Sequence, residues 1–250
     1  MILTIAAQKG GVGKTTTAAA IAQALKAKSS RNKVLLIDMD GQRSASIIYG
    51  ADEDAFNIYN VLMGDCKAAD AIQDTEAGEI IQGSSRLYSL DVELAEDRDR
   101  DKRLKRALIG ISKKYSHIII DTAPGYSTGL IQALTAADAV IVPVQCNAQA
   151  FNGTSEVFDT IGNVKKLTNK NLTVLGILAT RYQPRTILAR QYEELIKEAA
   201  KEYGTKMLKT RIRQGVAVEE AQALRTDLYK YAPKSKPAED YFNLIKELKL

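Results

Sequence analysis

Short apolar runs alternate with longer stretches of helical periodicity along this chain of 250 residues. The apolar runs are rich in Ile, Val and Leu, are nearly continuous, and span residues 2–7, 34–38, 118–121, 139–144 and 172–179. Strands that are buried on both faces of a parallel sheet have this composition. The stretches between them have helical patterns over residues 15–28, 101–114, 128–135, 154–166, 188–203 and 216–225. This alternation predicts an α/β fold, in which right-handed βαβ units build a doubly wound, mostly parallel sheet flanked by helices.

Composition and charge add to this picture. No repeat or linker divides the chain, so we expect residues 1–250 to form a single domain, and the 45% of hydrophobic residues suffices for a core without disulfides or metals. The formal net charge is +5, and residues 205–250 contribute most of it, with ten Lys or Arg against six Asp or Glu. This basic C-terminal region, which we expect to be part of the domain, indicates a polyanionic partner, DNA first and anionic lipid second. A solvated surface would have the same composition.

The rarity of cysteine and histidine excludes several kinds of site. Cys66 and Cys146 lie far apart without a CxxC partner, which argues against a disulfide scaffold, a zinc site or an iron–sulfur cluster and fits a reducing compartment. The single histidine, His117, directly precedes an apolar run, so we expect it to begin a strand. No apolar stretch approaches the roughly 20 residues that span a bilayer. The N-terminus lacks the basic region of a signal peptide, so we expect an intracellular protein.

A glycine-rich loop, QKGGVGKTT over residues 8–16, lies between the first predicted strand and the first predicted helix. Glycines let the backbone turn tightly and direct consecutive N–H groups at a phosphate, and the helix N-terminus adds its dipole. In such a loop Lys14 reaches the β- and γ-phosphates of a nucleotide and the Thr15 hydroxyl ligates Mg²⁺. The predicted phosphate-binding residues are Gly10, Gly11, Val12, Gly13, Lys14, Thr15 and Thr16.

Three aspartates follow predicted strands at the edge of the sheet where open α/β folds bind ligands. Asp38 and Asp40 end the second apolar run, and their spacing places both carboxylates on one side of an extended segment. Asp121 ends the third run, where the carboxylate of a P-loop protein reaches Mg²⁺ directly or through water. Together with the glycine loop, these carboxylates predict a site for ATP and Mg²⁺.

The motifs KGGVGKTT at residues 9–16, DMDGQ at 38–42 and DTAP at 121–124 resemble those of the deviant Walker A ATPases, the ParA/MinD family of P-loop NTPases. The resemblance implies that Lys9 crosses the interface of an ATP-bound homodimer to the partner's phosphates. It also implies that Lys9, Lys14 and Asp40 take part in hydrolysis, with Asp40 orienting the attacking water. Family members often have Pro where this chain has Gly41, so we expect a looser turn with unchanged chemistry.

The same resemblance implies a metal shell and an adenine site. Asp38 would support the Mg²⁺ shell together with Thr15 and Asp121. The likeness continues through residues 133–145, Gly153 and residues 209–221. It implies that Thr180, Arg181 and Ile212 contact the adenine, with Thr180 standing where some relatives have Asn. ParA-type members bind DNA without sequence specificity through late basic residues, and the candidates here are Arg211, Arg213, Arg225, Lys230, Lys234 and Lys236.

The sequence leaves three functions open. The first is a ParA-type partition ATPase, cytoplasmic and nucleoid-associated, whose ATP-bound homodimer binds non-specific DNA and whose hydrolysis is stimulated by a ParB-like centromere-binding protein. Since only seven residues precede the loop, we expect no N-terminal helix-turn-helix domain. The second is a MinD-like ATPase that cycles on membranes. The short apolar stripe at residues 241–248 disfavours that reading, because we expect it to pack on the domain. The third is a metabolic P-loop enzyme, for which Lys9 and the basic tail would have no purpose.

Overall fold

An eight-stranded sheet forms the centre of the computed structural model, which describes residues 1–146, 154–183 and 187–250, and the side chains of all of these except 187–190. The strands are β1 (Ile2–Ile5), β2 (Val34–Met39), β3 (Ile72–Thr75), β4 (Gly78–Ile81), β5 (His117–Thr122), β6 (Ala139–Gln145), β7 (Thr173–Tyr182) and β8 (Met207–Arg213). Their order across the sheet is β3-β4-β2-β5-β1-β6-β7-β8. Only the edge pair β3–β4 is antiparallel. The predicted α/β class and mostly parallel sheet are confirmed.

The five strands predicted from apolar runs are β1, β2, β5, β6 and β7, and His117 begins β5 as expected. Three strands were not predicted, and all of them lie at or beside the sheet edges. β3 and β4 have four residues each and are joined by a tight turn. β8 carries exposed or half-buried polar residues between its buried Leu208 and Ile212. The edge strands β3 and β8 have many exposed or half-buried residues, so they lack the continuous apolar run of a central strand. The buried β4 has only four residues, GEII, which is too short for a clear pattern.

The α-helices of the described residues are α1 (Lys14–Lys28), α2 (Ser44–Tyr49), α3 (Ile58–Met63), α4 (Leu90–Glu93), α5 (Arg103–Ile109), α6 (Thr128–Ala136), α7 (Thr154–Leu167), α8 (Ile187–Glu202), α9 (Val216–Ala223), α10 (Leu228–Tyr231) and α11 (Lys236–Glu247). Short 3₁₀ helices cover Ala68–Ala71, Ser85–Ser89, Arg100–Lys102 and Ser112–Lys114. The prediction of one helix over residues 101–114 is wrong. The α-helical part ends before Gly110, since glycine is a poor helix former, and 3₁₀ turns flank it.

Helices cover both faces of the sheet. On one face Leu36 and Ile119 pack under α1 and the C-terminal helix α11, and on the other Leu35 and Ile120 pack under α3, α5 and α6. The Ala-rich α1 is almost wholly buried between the sheet and α11. The apolar stripe of the tail packs on the sheet as expected, because Tyr241 and the leucine and isoleucine that follow it on α11 are buried. Within the described residues, no helix combines the length and apolar character needed to cross a bilayer.

Candidate nucleotide-binding site

A cleft of about 490 Å³ opens at the carboxyl ends of the central strands. Pairing between strands brings the predicted motifs together, because Ile5, the last residue of β1, and Asp38 both stand opposite Asp121. The residues predicted for the nucleotide and metal site that line the cleft are Gly10, Gly11, Gly13, Lys14, Thr15, Thr16, Asp40, Thr180, Arg181 and Ile212. Four others predicted for that site are not part of its lining, namely Lys9, Val12, Asp38 and Asp121, whereas Arg213, predicted for DNA, does line the cleft. The cleft therefore unites chain segments that are more than 200 residues apart in the sequence.

The glycine loop has the conformation of an anion cradle. Gly11 and Gly13 have φ angles of 74° and 83°, in the left-handed region that favours glycine. No atom lies within 4 Å of where a Cβ on Gly10 or Gly11 would stand, so the space in front of the loop is open. Gly13 precedes α1, whose N-terminus has neither a side-chain cap nor an acidic residue in its first turn. The free N–H groups and dipole of this helix end are therefore available to a phosphate.

Lys14 is buried in the floor of the loop. Its Nζ donates a hydrogen bond to the backbone carbonyl of Lys9 at 2.9 Å, which holds the side chain along the loop. Burial lowers the pKa of Lys14, while the nearby carboxylates of Asp121 and Asp40 oppose that shift. A lysine so placed presents its charge to an anion in the cradle.

Asp121 is the buried carboxylate of the site. Both of its oxygens are buried and accept no hydrogen bond from the described residues. Burial, followed by the charge of Asp38, raises its pKa well above the usual range, whereas the Thr15 hydroxyl and the Lys14 ammonium nearby lower it. A buried carboxylate without a donor is costly unless a cation or another donor satisfies it.

These residues fit a magnesium ion. Among the described residues, no three His, Cys, Asp or Glu side chains form a metal-binding cluster. Mg²⁺ does not require one, because it is usually held by one or two carboxylates together with substrate phosphates and water. Asp121 and the Thr15 hydroxyl would supply the protein's share of such a shell.

Asp38, predicted to support the Mg²⁺ shell, lies below the cleft and not in its lining. It is fully buried, and its Oδ1 accepts a hydrogen bond from the Asp40 amide at 3.0 Å. Its Oδ2 accepts from the amide and the hydroxyl of Ser46 at 2.8 and 2.7 Å. Burial raises the pKa of Asp38 to about 6, although these hydrogen bonds oppose the shift. Because both oxygens are already hydrogen-bonded, the geometry favours an indirect role in the metal shell, in which Asp38 fixes the Asp40 turn and the start of α2.

Asp40 lines the cleft, and the turn that follows it is tightly packed. Its Oδ1 accepts a hydrogen bond from the Gln42 amide at 2.9 Å, and its carbonyl accepts one from the Arg43 amide at 3.0 Å. The expectation of a looser turn at Gly41 is wrong. A Cβ on Gly41 would stand 2.7 Å from the ring of Tyr88, so the ring occupies the place that a larger residue would fill.

The base end of the cleft lies between the ends of β7 and β8 and helix α9. The buried hydroxyl of Thr180 contacts the carbonyls of Val12 and Val144 at 2.7 and 3.0 Å, so it secures the loop to the sheet. Arg181 is exposed and has a φ of 47°. The sequence analysis did not assign several residues that line the cleft. Gln42 and Pro124 belong to the quoted motifs, and Gln214, Gly215, Val218 and Glu219 lie in the similar stretch 209–221, whereas no sequence signal pointed to the remaining four: Ser44, Ile48, Gln222 and Tyr241.

The six basic candidates for a DNA surface fall into two groups. Arg211 forms an ion pair with the buried Glu193, and Arg213 donates from Nε and Nη2 to Asp240, at 2.8 and 2.6 Å for the shorter contacts. Both arginines are thus committed to holding α8 and α11 against β8, which disfavours their assignment to DNA. The remaining candidates are exposed on the C-terminal part of the chain: Arg225, Lys230, Lys234 and Lys236. Of these, Lys230 donates to the carbonyl of Glu76 at 3.1 Å.

One position named in the sequence analysis, Gly153, lies outside the described residues.

Comparison with known proteins agrees with this geometry. A family model described as an AAA domain matches residues 1–174. The chain is 36% identical over 251 residues to the sporulation initiation inhibitor protein Soj of Bacillus subtilis, covering 99% of this chain and 97% of Soj. It is 34% identical over 253 residues to the chromosome partitioning protein ParA of Caulobacter vibrioides, covering 99% and 93%. Among solved structures, cobyrinic acid a,c-diamide synthase from Mycobacterium smegmatis with bound ADP and magnesium has a TM-score of 0.83 at 32% identity, covering 99% and 95%.

Proposed function

The chain belongs to the family of ParA and Soj, and we propose that it is a Mg²⁺-dependent partition ATPase that acts as a single domain over residues 1–250. In this proposal ATP binding produces a homodimer, the homodimer binds DNA without sequence specificity, and a ParB-like centromere-binding protein stimulates hydrolysis. The cycle would move plasmid or chromosomal DNA in a cytoplasmic, nucleoid-associated system. MinD-like cycling on membranes is the less well supported alternative, because Soj and ParA are 34–36% identical to this chain over almost its full length.

The observation that carries the nucleotide site is the uncapped N-terminus of α1 beside a buried carboxylate without a donor. The open glycine loop and the helix end supply N–H groups for the phosphates. Asp121, whose oxygens accept no hydrogen bond from the residues that the structure describes, supplies an anionic partner for a divalent cation. A ligand that combines phosphate with a divalent cation would satisfy both groups at once.

The proposed hydrolysis assigns a task to each residue of the cleft. Lys14 neutralises charge on the β- and γ-phosphates, and the loop amides hold them. Thr15 and Asp121 hold Mg²⁺, which when bound would neutralise phosphate charge. Asp40 orients a water for in-line attack on the γ-phosphorus and accepts its proton while the bond to the β-phosphate oxygen breaks. Lys9 contributes its charge across the homodimer interface.

Two variants test these assignments directly. Lys9→Ala should retain nucleotide binding but remain monomeric in ATP, as measured by size-exclusion chromatography with light scattering, whereas the exposed control Lys33→Ala should dimerise like the parent. Asp40→Ala should bind ATP and stay dimeric with hydrolysis reduced at least a hundredfold, in the range of losing a positioned base. A Lys9→Ala protein that pairs normally in ATP would remove the deviant lysine from the mechanism.

The proposed DNA surface rests on exposed charge. Lys234 and Lys236 flank the start of α11, and both side chains are exposed. Each cation that neutralises a phosphate adds about −0.9 to the slope of log K against log salt for duplex DNA. Replacing both lysines should therefore weaken binding and reduce the steepness of its salt dependence.

The matching experiment measures retention of the protein on immobilised duplex DNA with ATP, with ADP and without nucleotide. We expect retention in ATP that falls steeply with salt, and a shallower, weaker profile for Lys234→Glu with Lys236→Glu. The control Lys113→Glu with Lys114→Glu makes the same charge change on exposed residues of the 3₁₀ helix before β5 and should bind like the parent. Equal retention in ATP and ADP would refute the partition function and, if ATP is hydrolysed, would favour a metabolic enzyme.

A further inference from the structure

The turn that carries Asp40 rests against a segment that none of the predicted motifs includes. We name residues 40–42 the aspartate turn and residues 82–89, which follow β4 and contain the 3₁₀ helix Ser85–Ser89, the backing segment. The two are about 40 residues apart in the sequence but meet at the carboxyl edge of the sheet, because β2 and β4 are parallel neighbours. The backing segment therefore emerges from its strand beside the aspartate turn.

The first contact between them is made by Gly83. A Cβ at this position would stand 2.8 Å from the carbonyl oxygen of Asp40 and 3.0 Å from Cγ of Asp38. The Gly83 amide donates to the Ser46 hydroxyl at 2.8 Å, and that hydroxyl donates in turn to Asp38. Backbone thus packs directly on backbone, and the approach leaves no room for a side chain.

The second contact is made by Tyr88. Its ring lies against Gly41, at 2.7 Å from where a Cβ on Gly41 would stand. Its hydroxyl accepts a hydrogen bond from Nε2 of Gln42. The backbone N–H of Gln42 donates to Oδ1 of Asp40. Gln42 therefore links the tyrosine, through its side chain, to the Asp40 carboxylate, through its backbone.

The backing segment is itself anchored independently of Tyr88. The buried Gln82 donates from Nε2 to the carbonyls of Asp52 and Ala55 at 2.6 and 2.9 Å and accepts from Arg43 at 2.9 Å. Towards its other end, Arg86 donates from Nη2 to the hydroxyl of Tyr59 on α3 at 2.6 Å. The backbone that carries Tyr88 is therefore held in place by contacts that do not involve the tyrosine itself.

Tyr88 contributes little to the core, since its side chain is 59% exposed. The position of this exposed tyrosine, which covers Gly41 and forms a hydrogen bond with the cleft residue Gln42, is better explained by support of the aspartate turn than by core packing. We propose that Tyr88 is a positioning residue for hydrolysis, which acts through Gly41 and Gln42 to fix the carboxylate of Asp40. This inference rests on the proposed ATPase function, and it makes Gly41 a required partner of Tyr88 rather than a neutral departure from proline.

The packing predicts that two different substitutions have the same consequence. Tyr88→Ala removes the ring and its hydroxyl, and Gly41→Ala introduces a methyl group that must displace the ring and break its bond to Gln42. Each should lower kcat about threefold to tenfold with KM within twofold of the parent, as expected when one positioning hydrogen bond is lost. The double variant should be no slower than either single variant, because the second change removes a contact that is already lost.

Two further variants complete this double-mutant test of Tyr88 and Gly41. Tyr88→Phe keeps the ring on Gly41 and loses only the hydroxyl, so it should fold like the parent and still show the lower kcat. Tyr231→Ala is the matched control, because Tyr231 is also exposed and its hydroxyl donates a hydrogen bond to a side chain, that of Glu220, at 3.2 Å. It should hydrolyse ATP like the parent. Multiplicative losses in the double variant, or normal turnover by Tyr88→Phe, would overturn the proposal.

Hydrogen–deuterium exchange of the nucleotide-free protein separates this inference from the proposed function. Peptides that cover residues 40–46 should take up deuterium faster in Tyr88→Ala and Tyr88→Phe than in the parent or Tyr231→Ala. If the parent hydrolyses no ATP, the proposed function fails, yet faster exchange would still support Tyr88 as the group that holds the turn. Unchanged exchange in both Tyr88 variants would overturn that role whatever the ATPase assay gives.

Discussion

A buried pair of hydroxyls joins the phosphate-binding helix to the C-terminal helix, and its removal is a direct test of the structure. The Thr17 hydroxyl and the Tyr241 hydroxyl are 3.1 Å apart. Thr17 lies one turn into α1 and is 0% exposed, while Tyr241 lies on α11 and is 1% exposed. Burial raises the pKa of Tyr241, so its hydroxyl stays protonated at neutral pH. Tyr241 also lines the nucleotide cleft, so we expect loss of the pair to affect both the stability of the fold and ligand binding.

The expected magnitudes follow from the difference between losing one hydroxyl and losing both. Tyr241→Phe or Thr17→Val leaves one buried hydroxyl unpaired, which costs about 1–3 kcal/mol of the free energy of unfolding. The double variant replaces both groups by apolar shapes of similar size and should cost less than the sum of the two. For a chain of this length, each kcal/mol lowers Tm by about 2–4 °C.

Urea unfolding of the four proteins, followed by circular dichroism, measures the coupling. Tyr126→Phe is the control for removal of a tyrosine hydroxyl, since Tyr126 is 67% exposed and should change stability by less than about 0.5 kcal/mol. Each single variant should also bind nucleotide more weakly, because the pair holds α1 behind the glycine loop. If the two single costs simply add, the hydroxyls do not interact, and the proposed link between α1 and α11 is refuted.

Three further predictions concern buried charge and backbone conformation. Glu193→Gln should remove stability on the order of 3 kcal/mol above pH 4.5, because hydrogen bonding from Arg211 lowers the Glu193 pKa from 4.5 to about 2. In the parent that stability should be lost as the pH falls from 4.5 towards 2, and an unfolding series against pH that is identical for both proteins would contradict this. Asp121→Asn should raise Tm of the nucleotide-free protein, since it removes a buried charge, while calorimetry shows weaker binding of Mg²⁺ and ADP. Gly176→Ala should lower the free energy of unfolding by about 1–3 kcal/mol, because φ of Gly176 is 153° and a Cβ there would stand 2.7 Å from Leu208. The control Gly162→Ala places its Cβ in open space and should be neutral or stabilising. Equal unfolding midpoints for the two variants would refute this prediction.

The sequence was most informative where neighbouring residues act together. The central strands could be predicted because burial on both faces produces an unbroken apolar run, as in residues 118–121. The phosphate loop could be predicted because the tight turn, the lysine and the helix start are consecutive residues. The edge strand β8 could not, because Leu208 and Ile212 are separated by exposed or half-buried polar residues. Its place in the sheet depends on pairing with β7, which no local pattern specifies.

The base end of the cleft shows the limit of such reasoning more clearly. Gln222 donates to the Thr16 hydroxyl at 3.1 Å although the two residues are 206 positions apart. Thr180 is predicted to contact the adenine, but its hydroxyl donates a hydrogen bond to the loop carbonyl of Val12. The resemblance pointed to residues 180–181 and 209–221 for the adenine, which stays a prediction, and the side chains that line this end of the cleft depend on how β7, β8 and α9 pack together. That arrangement is set by packing of the whole sheet.

Some basic residues of the C-terminal region form ion pairs within the protein and others face solvent, and only the second group can indicate a binding partner. Composition gave the sign of the excess, yet Arg211 and Arg213 are neutralised by Glu193 and Asp240 and tie helices to β8. An arginine that holds a buried carboxylate cannot leave it for a phosphate without exposing an unpaired charge, which is strongly destabilising. Only cations whose charge is free to displace counterions from DNA contribute to salt-dependent binding. The electrostatic case for DNA therefore depends on exposed lysines such as Lys234 and Lys236, whose charge is not engaged by a buried carboxylate of the described residues.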